Sequence, residues 1–361
     1  MTETILIKVG TNVLAQADGE LDLAQIESLV DQISELKKQQ KHVVLVTSGA
    51  MGAGLQLNKF ESIKDKLIRR QMLAAIGQSR LIELYTKYFK KHGITVAQAL
   101  LSRSDFSNRE KYLNIKHVLT NLLDSNIVPI INENDVVSTE ELSFGDNDIL
   151  GAYTSALIKA DKYVVLTTVD GLCDKDPSEK DAKLIEKVER VDDRILALCS
   201  KSKSSLGMGG MQSKIEAAKI ATELGIETII ANGKTQKVPN IIKGEFKGTT
   251  FRPRIKEKKS VYYWLMAGVD INGQITVDSG AAKAIANRKS LLIVGITSIE
   301  GAFENGDGVK VLDEEGNKIG VGIVNFSSKA LKEALKKSKT ELQNHKEIIH
   351  CDNLKVFNDL V

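Results

Sequence analysis

The stretch ILIKVGTNVLAQADGELDLAQIESLVDQISELKKQQKHVVLVTSGA, residues 5–50, decides the fold. It opens on Ile5-Leu6-Ile7 and closes on Val43-Val44-Leu45-Val46, runs short enough for strands and too continuously apolar for strands with one wet face. Between them Ile26, Leu29, Val30, Ile33 and Leu36 recur at three- and four-residue steps, the spacing of one helix face. A buried strand, a helix that needs a sheet to cover its apolar side, and a second buried strand make a parallel unit.

The alternation continues outward from this stretch. Strands are expected at Ile5–Val9, Val43–Thr47, Ile94–Ala99, Ile127–Ile131, Tyr163–Thr167 and Glu227–Ala231, and helices at Lys66–Lys91, Arg109–Asp124, Asp148–Lys159 and Gln212–Leu224. The class is α/β, a mainly parallel sheet with helices on both faces, where ligands sit at the carboxyl ends of strands. Near Gly248-Thr-Thr-Phe-Arg-Pro253 the chain turns basic and extended, with Arg252, Arg254, Lys256, Lys258 and Lys259. Residues 253–267 are read as a linker between a first domain, 1–252, and a second, 268–361. In the second, short runs at Leu291–Gly295, Val309–Leu312 and Gly320–Asn325 are broken by Asn305-Gly306-Asp307-Gly308 and Glu315-Gly316-Asn317. Such turns predict a small β-rich barrel or sandwich.

A chain of 361 residues suits two domains, and 42% apolar with 27% charged residues excludes a disordered protein. Fifty basic against 47 acidic side chains leave a net charge of +3, so no global footprint for nucleic acid or an anionic membrane exists. Three scattered cysteines, Cys173, Cys199 and Cys351, give neither a disulfide framework nor a zinc site, as in a reducing compartment. No leader or membrane-length apolar segment is read, and the expected location is the cytoplasm.

Five places carry possible chemistry. Lys8 ends the first strand before Gly10, where an ammonium can meet a phosphate; an ordinary solvated lysine fits the same position. Val46-Thr47-Ser48-Gly49-Ala50-Met51-Gly52-Ala53-Gly54 follows a buried strand with small residues, so backbone N–H groups and the Ser48 hydroxyl can bind an anion, or merely turn tightly into a helix. Its glycines fall at 49, 52 and 54, which is not a dinucleotide fingerprint, and it lacks the lysine of a Walker loop. Leu206-Gly207-Met208-Gly209-Gly210-Met211-Gln212-Ser213-Lys214 runs into a helix whose first turn carries Lys214, a cation at the positive end of the macrodipole, and an anion there would resolve the conflict. Ile131-Asn132-Glu133-Asn134-Asp135 and Gly145-Asp146-Asn147-Asp148 offer amides and carboxylates at a strand end and a helix start, where Asp146 or Asn147 also suits an N-cap. None of the five histidines lies beside a nucleophile in these loops. A carboxylate acceptor is already anionic at neutral pH and needs no general base, so a site of lysines, glycines and amides suits a carboxylate kinase.

Together with Ala74-Ala75-Ile76-Gly77-Gln78-Ser79, these motifs in this order resemble the amino acid kinase family, over essentially the whole chain. The resemblance implies a three-layer αβα sandwich and transfer of the ATP γ-phosphoryl group to the side-chain carboxylate of free L-glutamate, the first step of proline synthesis. It implies that Lys8 and Lys214 stabilise the transferring group, that Asp148 orients both, and that Ser48, Asp135 and Asn147 bind glutamate. Lys8, Thr167, Thr168 and the loop Met208, Gly209, Gly210, Met211, Gln212, Ser213 and Lys214 would contact ATP, with Mg²⁺ held chiefly by the phosphates rather than by a protein metal site. The family often has Asp where Thr168 stands and Thr where Met208 stands, which bears on nucleotide affinity.

The tail resembles PUA domains through Asp278-Ser279-Gly280-Ala281-Ala282-Lys283-Ala284-Ile285, Asn325-Phe326-Ser327-Ser328 and His350-Cys351-Asp352-Asn353. Cys351 stands where Arg is common. Proline as feedback inhibitor, a homo-oligomer and a glutamyl phosphate reductase as next enzyme follow from the family alone. The rivals are another family member, such as an acetylglutamate kinase, aspartokinase or uridylate kinase, and an RNA-binding protein acting through the tail. For RNA, aromatics at 5% are few, and Tyr262, Tyr263 and Trp264 fall at the domain junction.

Overall fold

The computed structural model describes residues 2–16, 19–57, 60–137, 147–176, 179, 181–199, 210–254, 271–336 and 347–357. The chain divides into two compact units, Met1–Ser104 with Asn114–Lys258, and Asp105–Leu113 with Lys259–Val361.

In the first unit the strands are β1 (Thr4–Val9), β2 (His42–Val46), β3 (Val96–Leu101), β4 (Val128–Glu133), β5 (Lys162–Thr167), β6 (Lys187–Val188), β7 (Glu227–Asn232) and β8 (Gly248–Phe251). They form one sheet in the order β3-β4-β2-β1-β5-β7-β8-β6. The six strands from β3 to β7 run parallel, whereas β8 pairs antiparallel with β7 and carries β6 along. The helices are α1 (Thr11–Leu14), α2 (Leu23–Lys38), α3 (Ala50–Leu57), α4 (Lys66–Lys90), α5 (Arg103–Ser107), α6 (Arg109–Asp124), α7 (Asn147–Leu157), α8 (Asp193–Cys199), α9 (Met211–Glu223) and α10 (Val238–Lys243), with residues 105–113 of α5 and α6 counted in the second unit. No helix among the described residues is long and apolar enough to cross a membrane.

The two-residue period of β1 sorts the layers. Ile5, Ile7 and Val9 enter one core with Ile26, Leu29, Val30 and Ile33 of α2 and Leu81, Leu84 and Tyr85 of α4. Leu6 and Lys8 therefore point to the opposite face, which α7 and α9 cover. α7 is seated by Tyr163 of β5, whose hydroxyl donates to the carbonyl of Asp148 at 2.7 Å beneath Gly151. A Cβ on Gly151 would come within 2.5 Å of that hydroxyl oxygen, so only glycine lets helix and strand approach this closely.

All six expected strands form, but the sheet has two more. β8 lies in the Gly-Thr-Thr-Phe segment where the sequence changes character, and β6 is only two residues long. The third and fourth strands begin later and extend further than their apolar runs, so Asn132 and Glu133 stand within β4.

The second unit holds a five-stranded sheet ordered β11-β9-β12-β13-β15 and the pair β10-β14. These strands are β9 (Ile271–Val277), β10 (Leu291–Leu292), β11 (Ile296–Gly301), β12 (Gly308–Leu312), β13 (Lys318–Ile323), β14 (Glu347–Ile349) and β15 (Leu354–Val356). β12 and β13 form a hairpin whose turn places Gly316 at φ +84°, a left-handed conformation that suits glycine. Leu291–Gly295, expected as one strand, stops after Leu292 and turns into a 3-10 helix, Ile293–Gly295. β9 and β11 lie outside the runs expected from sequence.

Candidate active site

The site gathers where β1 meets α7 and α9. Lys8 Nζ lies 2.5 Å from Asp148 Oδ1, and Lys214 Nζ lies 3.0 Å from Asp148 Oδ2. Asp148 is 0% exposed and both lysines are nearly buried. Burial alone would push this carboxyl up, yet the charges and hydrogen bonds of Lys8 and Lys214 hold it well below the usual carboxylate range. Ser213 adds a hydroxyl donor to Oδ2 at 3.1 Å. The conflict expected at the start of α9 is thus met by a carboxylate of the chain: Asp148 answers both the cation in the first turn and the positive helix end. Two ammonium groups held by one buried carboxylate can brace an anion arriving between them without repelling each other apart.

Asn147 works differently from an ordinary N-cap. Its Nδ2 faces the strand ends and shares its two hydrogens among Thr47 O at 3.0 Å, Ser48 Oγ at 2.9 Å and Asn132 Oδ1 at 2.9 Å. Asn132 in turn donates from Nδ2 to Gln78 Oε1 at 2.8 Å. Ser48 and Asn147 are therefore brought together directly. Asp135 lies beyond them, in a cavity of about 340 Å³ that Gln78, Ser79, Gln98, Glu133 and Asn134 help to line. Burial, with the neighbouring Glu133 charge added, pushes its carboxyl up to about 6, against the opposing pull of Arg70.

Thr167 ends β5, the strand beside β1, and Thr168 follows it. The loop is tied to β7 by Gly233 N donating to Thr167 O at 2.8 Å and Asn232 Nδ2 donating to Thr168 O at 3.1 Å. Gly210 caps α9, and Met211, Gln212, Ser213 and Lys214 form its first turn. Met208 and Gly209 lie outside the described residues, as do Gly145, Asp146 and the aromatic run 262–264. Asn132 and Gln78 stand within the sequence motifs without an expected role of their own; the signal for them is a polar residue at a strand end and another mid-helix, among apolar neighbours.

The pattern of the amino acid kinase family matches residues 3–232. The chain belongs to the amino acid kinase family. A PUA domain pattern matches residues 273–346. Relatives include proteins named Glutamate 5-kinase: one from Caldanaerobacter subterraneus subsp. tengcongensis is 45% identical, covering 98% of this chain and 97% of its own. One from Dehalococcoides mccartyi is 40% identical over 98% of each chain. One from Bacillus cereus is 40% identical, over 97% of this chain and 98% of its own. Among solved structures, carbamate kinase from Giardia lamblia bound to AMP-PNP superposes with a TM-score of 0.53 at 16% identity, covering 70% of this chain and 98% of that one. That likeness establishes the family's fold.

Proposed function

We propose that the chain transfers the γ-phosphoryl group of ATP to the γ-carboxylate of L-glutamate, giving γ-glutamyl phosphate and ADP, the first step of proline synthesis. The observation that carries this reading is similarity across 97% or more of both chains to proteins named Glutamate 5-kinase. A carboxylate oxygen attacks the γ-phosphorus in line, the bond to the β,γ-bridging oxygen breaks, and ADP leaves with that electron pair. No proton needs to be removed from the nucleophile.

Lys8 and Lys214 are assigned to the transferring phosphoryl group and Asp148 to holding them. Each Asp148 oxygen already faces a lysine, which supports a positioning role and leaves that carboxylate unsuited to ligating a cation. Mg²⁺ is accordingly assigned to the nucleotide's own phosphates, whose charge it neutralises when bound. Among the described residues the group with three metal-ligating atoms in mutual reach is His350, Cys351 and Asp352, in the second unit. Ser48, Asn147 and Asp135 are assigned to glutamate, the Asp135 carboxylate suiting its ammonium. Thr167, Thr168 and residues 208–214 are assigned to ATP. Proline inhibition, a homo-oligomer, a reductase that consumes the acyl phosphate, a cytoplasmic location and a domain boundary within 253–267 accompany this reading; sequence resemblance supports them.

The test is ADP release with Mg-ATP and hydroxylamine, in parallel with glutamate, N-acetylglutamate, aspartate and UMP. Hydroxamate is expected with glutamate alone. Turnover confined to a comparator would overturn the substrate assignment.

A further inference from the structure

Gln78, Asn132, Asn147 and Ser48 form a chain of hydrogen bonds whose direction is fixed by backbone groups. Glu133 N donates to Asn132 Oδ1 at 2.9 Å, and a backbone N–H can only donate, so that atom is the amide oxygen. Asn132 Nδ2 therefore turns to Gln78, whose Oε1 receives it at 2.8 Å. Asn147 is fixed in the same way, because the Thr47 carbonyl 3.0 Å from its Nδ2 can only accept. The same Nδ2 shares its two hydrogens among Thr47 O, Asn132 Oδ1 and Ser48 Oγ, the last at 2.9 Å, and an amide nitrogen cannot accept, so the Ser48 hydroxyl proton is left to donate elsewhere.

Helix α4 reaches the site because two glycines let it touch α3 backbone to backbone. A Cβ on Gly77 would fall 1.8 Å from the Ala50 carbonyl oxygen, and one on Gly54 would fall 2.0 Å from that of Leu73. Gln78 follows Gly77 directly, and this contact delivers a polar side chain into a buried position beneath β4. Burying a glutamine amide is costly unless it is hydrogen-bonded, and Asn132 supplies its partner.

We propose that Gln78 is a positioning residue for the amino acid substrate: through Asn132 and Asn147 it holds Ser48 as a hydrogen-bond donor toward a substrate carboxylate. The proposal rests on the glutamate reading above. A carboxylate only accepts, so a hydroxyl whose proton cannot go to the amide nitrogen it faces matches it, and Gln78 acts by fixing where Asn132 and Asn147 hold that hydroxyl. Gln78 itself need not touch the substrate.

The test begins with wild-type turnover of glutamate; silence there would refute the glutamate reading rather than this inference. Given turnover, Gln78→Met keeps the volume and removes the acceptor. It is expected to raise the KM for glutamate by about tenfold or more, as for loss of a well-placed bond to a charged group, with the KM for ATP unchanged. In a Ser48→Ala background the same substitution should add little, because both changes disable one donor. Gln78→Glu keeps an acceptor toward Asn132 and is expected to restore the glutamate KM to within about threefold of wild type. An unchanged glutamate KM in Gln78→Met, equal increases in the KM for ATP and glutamate, effects that multiply fully with Ser48→Ala, or a Gln78→Glu enzyme as weak as Gln78→Met would each overturn it.

Discussion

Lys8 Nζ and Asp148 Oδ1 stand 2.5 Å apart, both buried, joining the end of the first strand to the start of a helix some 140 positions later in the chain. Lys214 holds the other oxygen of that carboxylate at 3.0 Å. Removing one partner from such a buried cluster leaves charge uncompensated, which typically costs about 3–5 kcal/mol. Asp148→Asn should lose stability on that scale in denaturant titrations and lose nearly all turnover, since it leaves two ammonium groups facing each other.

The depressed Asp148 acidity fixes a pH window. Its folded-state pKa lies below the unfolded value of 3.8, so its contribution to stability is present above that value. It is lost as pH falls through the folded pKa. Wild-type stability should therefore fall more steeply below about pH 4 than that of Asp148→Asn, read from melting temperatures across a pH series.

Lys8→Ala and Lys214→Ala test the assigned chemistry. If each ammonium stabilises charge on the transferring group, kcat should drop by about 10²–10³-fold, the scale for one donor removed from a preorganised site. The comparison is made on folded protein, verified by circular dichroism.

Asp135 carries the opposite sign. Its carboxyl is pushed up to about 6, so the folded state prefers it protonated, and ionising it costs stability as pH rises through that value. Asp135→Asn should be the more heat-stable protein at pH 8, by about 1–3 kcal/mol, with the advantage vanishing below pH 4. The same substitution should raise the KM for glutamate, and in wild type that KM should climb as pH falls below about 6. A function-linked cost of this kind is what a buried binding carboxylate entails.

Much of the fold could be read because continuous apolar runs, such as Val43 to Val46, are buried on both faces and need no partner to be recognised. β8 escaped because Gly248-Thr-Thr-Phe is short and polar, and becomes a strand through pairing with β7 and β6. β9 escaped because Asn272-Gly273 inside it reads locally as a turn. Site residues were legible as separate motifs: Lys8, Ser48, Asn147, Asp148 and Lys214 each stand beside a strand end or helix start. Their contacts were not, since the bond from Asn132 to Gln78 depends on how α4 crosses β4, and the Gly54 and Gly77 contact that sets this crossing has no local signature.

The central claim is that a carboxylate oxygen is the nucleophile, and isotope transfer tests it most directly. Glutamate carrying ¹⁸O in its γ-carboxylate would be turned over with Mg-ATP, and the acyl phosphate cleaved by hydroxylamine at carbon. The phosphate released should carry one ¹⁸O, the former carboxylate oxygen now bonded to phosphorus. Unlabelled phosphate would contradict the account, because the phosphoryl group would then have gone to some other acceptor.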